Sequence, residues 1–293
     1  MILLRAHTMY KNKGIIALDL DGTLLNSKKE LSEKNLEALY AASNAGFEIV
    51  PTTGRFYGGM PQIIRDLPFV RYVITINGAE VKDLTNGTVV YKAEIPCQQA
   101  IDLMFWLDQY EVIYDCYMEN KGWMSISHKN NIDLFVEDFH SRKMLHDLRR
   151  PVPELKKFLM EEQSDVQKIQ FFSNNTELRR DLMTKLTLNY PNLSVSSALP
   201  QNIEINQIHA NKGEALLALA DYLKIDHAAT YAFGDGLNDL SMIKSAGMGI
   251  AMANSAPKVL SAADRSVPSC DEDGVAWGIE TYILKSSFNT NQI

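Results

Sequence analysis

Asp19 and Asp21 stand one residue apart at the end of a short apolar run, Ile15-Ile16-Ala17-Leu18, and are followed by Gly22-Thr23. Residues two apart in extended chain project the same way, so both carboxylates are expected to look into one site. Held that close they repel each other unless a cation or a proton stands between them. Asp-Gly alone is an ordinary turn dipeptide, so the pair takes its meaning from what else can reach it. Three further clusters qualify: Thr53-Gly54-Arg55, Asn211-Lys212-Gly213, and Asp235 with Asn238-Asp239. Together they offer carboxylates, a hydroxyl, fixed cations, an amide and backbone N–H groups, which is an inventory for phosphoryl transfer. Carboxylate-rich sites that handle phosphate favour Mg²⁺, a hard cation held by one or two carboxylates plus waters. Such an ion would screen the acids from an anionic substrate.

The elements that position these clusters alternate in the order strand, helix, strand. Residues 15–18 read as a strand buried on both faces, with Asp19 and Asp21 at its carboxyl end, where open α/β sheets bind ligands. Ser32 is a plausible N-cap for a helix with Leu36, Leu39, Tyr40 and Ala42 turned inward, and Gly46 is placed to end it. Residues 47–50 form a second strand running into Thr52-Thr53-Gly54-Arg55, and residues 72–76 a third that ends at Asn77-Gly78. This rhythm implies a parallel sheet with right-handed crossovers.

The pattern then changes. A hairpin is expected over 81–94, turning near Asn86-Gly87, followed by a helix over 96–109 and strands over 112–117 and 122–127. A charged, mainly helical stretch over 131–162 is interrupted at Pro151 and Pro153, and strands and a helix continue to residue 205. From Asn211 the βαβ rhythm returns. The expected fold class is therefore α/β: one doubly wound parallel sheet with an inserted α+β domain. The expected division is a lead-in over 1–13, a core over 14–84 and 208–285, an insert over 85–207, and a polar tail over 286–293, with Met9 as an alternative start.

Composition narrows the partners. The 293 residues carry 29 basic and 36 acidic side chains, a net charge of −7, so the basic footprint of a nucleic-acid binder is missing. Lys11 to Lys13 and Arg142 to Arg150 read as solvated faces. No run is long enough to cross a bilayer, and the apolar patch near Met1 is too short for a signal peptide. Cys97, Cys116 and Cys270 are odd in number and widely spaced, which speaks against a disulfide framework or a structural zinc site and for the reducing cytoplasm.

The four clusters, in this order, resemble the motifs of the haloacid dehalogenase-like hydrolases: Asp19-Leu20-Asp21-Gly22-Thr23, Thr53-Gly54-Arg55, Lys212-Gly213 and Gly234-Asp235-Gly236-Leu237-Asn238-Asp239. The long insert after the second motif resembles the Cof-type, class IIB branch with its α/β cap. Ala251-Met252-Ala253-Asn254 and the stretch from Asp271 to Ala276 are similar to that branch's C-terminal signatures. The resemblance implies a Mg²⁺-dependent phosphatase acting on a small phosphorylated metabolite, most naturally a sugar phosphate. It makes Asp19 the nucleophile that forms an aspartyl-phosphate and Asp21 the acid and then the base. Thr53, Gly54, Lys212 and Asn238 bind the phosphoryl group. Asp19, Asp235 and the backbone carbonyl of Asp21 hold the metal, with Asp239 behind them on Lys212 or a metal-bound water.

Some assignments stay open on residues alone. Thr52 precedes Thr53, and either hydroxyl could face the phosphate; spacing to Gly54-Arg55 favours Thr53. Arg55 and Asn77, at strand ends, are candidate substrate contacts. His209 reads as a surface residue, and Trp106, Tyr114, Tyr117 and Trp123 as packing in the insert. A phosphomutase, or a phosphatase of flavin or pyridoxal phosphate, would use the same clusters. A phosphometabolite sensor without turnover is the alternative of another class, and the presence of both aspartates argues against it. The closing of the cap over substrate is expected to hinge near residues 81–84 and 206–210.

Overall fold

The computed structural model describes residues 13–197 and 201–285. The expected lead-in up to residue 12, the start at Met9 and the tail from residue 286 lie outside the described residues. Strand β1 (Gly14–Leu18) is buried along its whole length. Its residues alternate between two apolar layers: Ile16 and Leu18 face one, Ile15 and Ala17 the other. That two-sided burial is what an uninterrupted apolar run in a parallel sheet requires.

The helix Glu33–Asn44 follows, with the Ser32 side chain accepting from Asn35 N–H as its N-cap. Tyr40 does not turn inward as expected but is 41% exposed, set edge-on against Phe69 at 4.8 Å. Asn35 takes a buried place on the helix because it serves two backbone groups, donating to Leu24 O and accepting from Ala276 N–H. Strand β2 (Phe47–Pro51) runs parallel to β1. Strand β3 (Tyr72–Thr75) joins β2 through one parallel bridge, Thr52 to Ile74, and then pairs antiparallel with β4 (Glu80–Asp83). Strand β5 (Val89–Lys92) completes this three-stranded extension. The boundary expected at 84/85 thus falls inside a hairpin whose second strand stays with the first. The hinge expected near 81–84 lies within β4, where Val81 is wholly buried in the core.

The chain leaves this layer around Glu94, since Ala93 N–H still reaches Ala79 O while Ile95 already bridges Val166. Six strands follow: β6 (Ile113–Met118), β7 (Lys121–Ser125), β8 (Arg149–Val152), β9 (Lys168–Phe172), β10 (Leu193–Ser196) and β11 (Asn202–Gln207). They form a second sheet in the order β10-β11-β9-β6-β7-β8. The helices Cys97–Leu107, Leu155–Glu162 and Thr176–Asn189 cover one face over Tyr114, Cys116, Met118 and Phe171. The opposite face carries Asp115 and Tyr117 of β6, Lys168 and Gln170 of β9 and Glu204 of β11, all buried. Strand β8 replaces the helical interruption expected at Pro151. It is an edge strand paired only with β7, which is where a proline without an N–H can be accommodated. Arg149, expected on a solvated face, is completely buried and gives Nε to Asp115 Oδ2 at 2.7 Å and Nη2 to Tyr117 Oη at 2.8 Å.

The return crossing runs through residues 208–210 into the helix Lys212–Leu223. Strands β12 (Thr230–Gly234), β13 (Met248–Met252) and β14 (Arg265–Val267) then complete the first sheet in the order β14-β13-β12-β1-β2, all parallel. The short β14 has no counterpart in the sequence reading. Among the described residues no helix is long and apolar enough to cross a membrane, and the three cysteines are free.

Candidate active site

All four clusters meet at the carboxyl ends of β1, β2 and β12. Asp19 follows the last residue of β1 and is anchored by its own N–H on Phe233 O at 3.0 Å. Beyond it the chain turns at once: Leu24 N–H returns to Asp19 O and Leu25 N–H to Leu20 O. Gly22 takes φ +92° in this turn, and a side chain there would collide with the Asp235 carboxylate, 2.6 Å from the built Cβ.

Because of that turn, the carboxylates of Asp19 and Asp21 take different partners within the one cluster. The two-residue periodicity holds only in extended chain, and the strand has ended. Asp21 instead takes a bidentate pair from Arg55, Nε to Oδ2 and Nη2 to Oδ1, both at 2.8 Å, with Lys29 Nζ at 3.0 Å. Burial pushes the Asp21 carboxyl up, but the hydrogen bonds and charge of Arg55, with Lys29, outweigh it and hold the group below its usual range.

Asp19 meets a different set of partners. Lys212, the first residue of its helix and completely buried, donates Nζ to Asp19 Oδ1 and to Asp239 Oδ1, each at 2.5 Å. The second oxygen of Asp239 accepts from the N–H groups of Asp235 and Gly236 at 2.9 and 2.8 Å, which fixes the loop after β12. Asp235 accepts Thr23 Oγ1–H at 2.8 Å. Asp19, Asp235 and Asp239 each bring a carboxylate oxygen within 4.8 Å of the others. One lysine therefore faces three acids. Burial and then the Asp239 carboxylate push Asp19 up to about 8, against the pull of Lys212. Burial raises Asp235 as well, against the hydrogen bond from Thr23. Burial works against the charge of Lys212, yet Asp19 and Asp239 outweigh it and keep the ammonium protonated. An all-oxygen donor set with surplus negative charge suits a hard divalent cation.

The remaining candidates divide. Thr52 Oγ1 donates to Val50 O at 3.0 Å, whereas Thr53 Oγ1 accepts from Arg55 N–H at 3.2 Å and keeps its own proton to give. Thr53 is thus the hydroxyl available to an incoming anion. Arg55 is committed to Asp21 and Gly59 O. Asn77, in the left-handed region at φ 59°, donates to Glu204 Oε2 at 2.9 Å and accepts from Asn238 Nδ2 at 3.4 Å. Gly54 lies against Asn77, whose Oδ1 is 2.7 Å from the built Cβ. His209 is exposed and paired with Glu214 at 2.8 Å, as its surface reading expects.

Sequence reasoning missed the supports. Thr23 orders Asp235. Asn254 accepts from Cys270 N–H and donates to Gly22 O at 2.8 Å, tying the loop after β13 to the turn after β1; the Ala251-to-Asn254 signature was its only signal. From the second sheet, Lys168 Nζ reaches Gly54 O at 3.4 Å and Glu204 Oε1 at 2.8 Å. Nothing local in the sequence marks that approach.

Residues 16–279 match the haloacid dehalogenase-like hydrolase family. Phosphatase YwpJ of Bacillus subtilis is 32% identical over 278 residues, covering 89% of this chain and 97% of its own. The 5-amino-6-(5-phospho-D-ribitylamino)uracil phosphatase YcsE of the same organism is 28% identical over 274 residues, covering 92% and 96%. A solved haloacid dehalogenase-like hydrolase from B. subtilis superposes with a TM-score of 0.79 at 29% identity, covering 92% of this chain and all of that one.

Proposed function

The chain belongs to the haloacid dehalogenase-like hydrolases and is a phosphatase of that family; from that premise we propose that it is of the class IIB branch, is Mg²⁺-dependent and releases phosphate from small polyol phosphates, sugar phosphates foremost. The observation that carries the reading is the buried Lys212 ammonium clamped between Asp19 and Asp239, with Asp235 at the same point. A fixed cation against a surplus of oxygen acids is what positions and charge-balances a transferring phosphoryl group.

In this reading Asp19 attacks phosphorus and forms an aspartyl-phosphate, while Asp21 delivers a proton to the departing alkoxide. Asp21 then takes a proton from the hydrolytic water, which attacks phosphorus, frees inorganic phosphate and restores the Asp19 carboxylate. Arg55 and Lys29 hold Asp21 in position, and the negative charge of an arriving phosphoryl group raises its carboxyl so that it can carry the proton it delivers. Thr53, the Gly54 backbone, Lys212 and Asn238 hold the phosphoryl oxygens. The metal is assigned to Asp19, Asp235 and the Asp21 carbonyl, where it would supply charge neutralisation for the phosphoryl group. Asp239 keeps Lys212 charged and orders the Asp235 loop. Residues 94–209 form the cap, whose polar face, with Lys168 and Glu204, closes the site over the leaving group.

A phosphate-release screen over phosphorylated metabolites, with Mg²⁺ or with chelator, tests this directly. Release is expected with Mg²⁺, should fall to background with chelator, and should be absent in Asp19→Asn. Release that survives both treatments would refute the mechanism, and phosphoryl transfer to a second sugar without free phosphate would point to a mutase. The likeness to YcsE favours a second substrate within the same reading, a ribitylamino-pyrimidine phosphate, which also presents a polyol phosphate.

A further inference from the structure

Glu80 is a buried carboxylate, 7% exposed, whose hydrogen bonds come from side-chain amides rather than from a cation. It lies on β4 in the catalytic layer, and its two oxygens accept from Asn120 Nδ2 and, at 2.9 Å, from Gln167 Nε2. Both donors belong to the cap. The nearest basic residue in register, Lys92, gives its ammonium to Glu94 instead. A charge removed from water needs donors, and here every donor arrives with the cap.

Asn120 is the centre of the arrangement. It sits at the tip of the β6–β7 hairpin in the left-handed region, with φ 58°. Its amide gives one proton to Glu80 and one to Thr75 Oγ1 at 3.1 Å, and its backbone N–H reaches Gln167 Oε1 at 2.7 Å. Its Oδ1 accepts the backbone N–H of Tyr57 at 2.6 Å. Tyr57 is two residues beyond Arg55, the partner of Asp21. Every hydrogen-bonding atom of this side chain is therefore engaged across the interface, and one bond falls on the loop that sets the proposed proton donor.

The geometry points to Asn120 as a positioning residue and to Glu80–Asn120–Gln167 as the latch that seats the cap. Closing exchanges water on Glu80 for two amides and at the same time pins the Arg55–Tyr57 loop against Asp21. An amide–carboxylate latch costs little in either position, because water satisfies the same groups when the cap lifts. The catalytic consequence rests on the phosphatase reading above; the latch itself does not.

Hydrogen exchange on the full chain tests the latch. Glu80→Gln sets an amide donor against the Gln167 donor, so exchange at the Tyr57 and Asn120 amides should rise about tenfold, the effect of losing one hydrogen bond to a charged group. Combining it with Gln167→Glu reverses donor and acceptor and satisfies every atom again, so the double variant should return to within about threefold of wild type. Glu80→Gln exchanging like wild type, or the double variant exchanging no more slowly than Glu80→Gln, would overturn the latch. Asn120→Gly suits the left-handed backbone and deletes only the side chain, which keeps the test open if Glu80→Gln fails to fold. In Asn120→Gly, kcat on an unactivated alkyl phosphate, sorbitol 6-phosphate, should fall at least tenfold more than kcat on p-nitrophenyl phosphate, whose leaving group needs no proton. Equal losses on the two would remove Asn120 from the positioning role. If wild type releases phosphate from neither, the functional reading fails while the exchange measurements still decide the latch.

Discussion

The two layers each bury ionic side chains, and they balance them differently. In the cap the charges pair one to one: Arg149 with Asp115, Lys168 with Glu204. In the catalytic layer a single buried lysine answers three acids. A one-to-one buried pair is balanced in charge and serves to fix packing and orientation. A buried site with surplus charge is a cost to the fold, and it makes sense only with a partner that is not part of the chain. The imbalance, more than the burial, separates the reactive centre from the scaffold above it.

The sharpest test of the contrast removes one acid from each layer. Asp19→Asn should lower turnover by roughly 10⁴ or more, because an amide cannot accept the phosphoryl group. In metal-free protein its melting temperature should hold or rise, since one surplus charge is gone. A clear drop in melting temperature would show that the site's charges stabilise the fold after all. Asp115→Ala should behave oppositely, costing about 3–5 kcal/mol in denaturant unfolding because Arg149 is left buried without its acid. A loss well under 1 kcal/mol would mean that Tyr117 alone suffices for Arg149. Asp235→Ala should weaken the Mg²⁺ titration of activity by roughly a hundredfold, since a carboxylate assigned to the ion is lost; an unchanged midpoint would take Asp235 out of the metal site.

Two smaller effects mark the edges of the comparison. Burial raises the Asp83 carboxyl, but hydrogen bonds from Arg71 and Thr85 prevail and hold it down to about 2. A depressed carboxyl contributes its stability above its unfolded value and loses it as pH falls through the folded one. With Arg71 44% exposed and its charge screened by water, Asp83 should therefore supply about 1 kcal/mol above about pH 4, lost as pH falls through about 2, as acid titrations of wild type against Asp83→Asn would reveal. An identical acid slope in both proteins would contradict the pairing. His209→Ala, beside the site in sequence but exposed, should change activity and stability by less than about 0.5 kcal/mol.

What could be read from the sequence follows the range of the interactions. A helix with its own cap was legible at Ser32, where the capping bond spans three residues. That the polar clusters would meet was legible because their residue types are unusual where they stand, at strand ends and helix starts. Features set by distant partners were not. Pro151 reads as a break until β7 makes β8 an edge strand, and Arg149 reads as solvated until Asp115 and Tyr117 enclose it. The separate pairings of Asp19 and Asp21 were not foretold by their spacing, because β1 ends at Leu18 and Asp21 lies three residues beyond it. The first crossing was placed too early because a hairpin looks the same whether it belongs to the layer before it or after it.

The central strand of the catalytic sheet also has a timetable. β1 begins at residue 14, but its neighbour β12 begins at residue 230, with Ile15 opposite Thr230. At about 5–20 residues per second of synthesis, the edge of β1 that β12 will cover waits on the order of ten seconds or more. The six cap strands, by contrast, all emerge between residues 113 and 207 and can pair among themselves first. A nascent chain of this protein can thus carry a paired cap sheet at its middle while β1, paired with β2, still has one edge open. Its order of assembly is the reverse of its order of importance to catalysis, and the stretch most exposed to misassociation on the ribosome is the one that ends in Asp19.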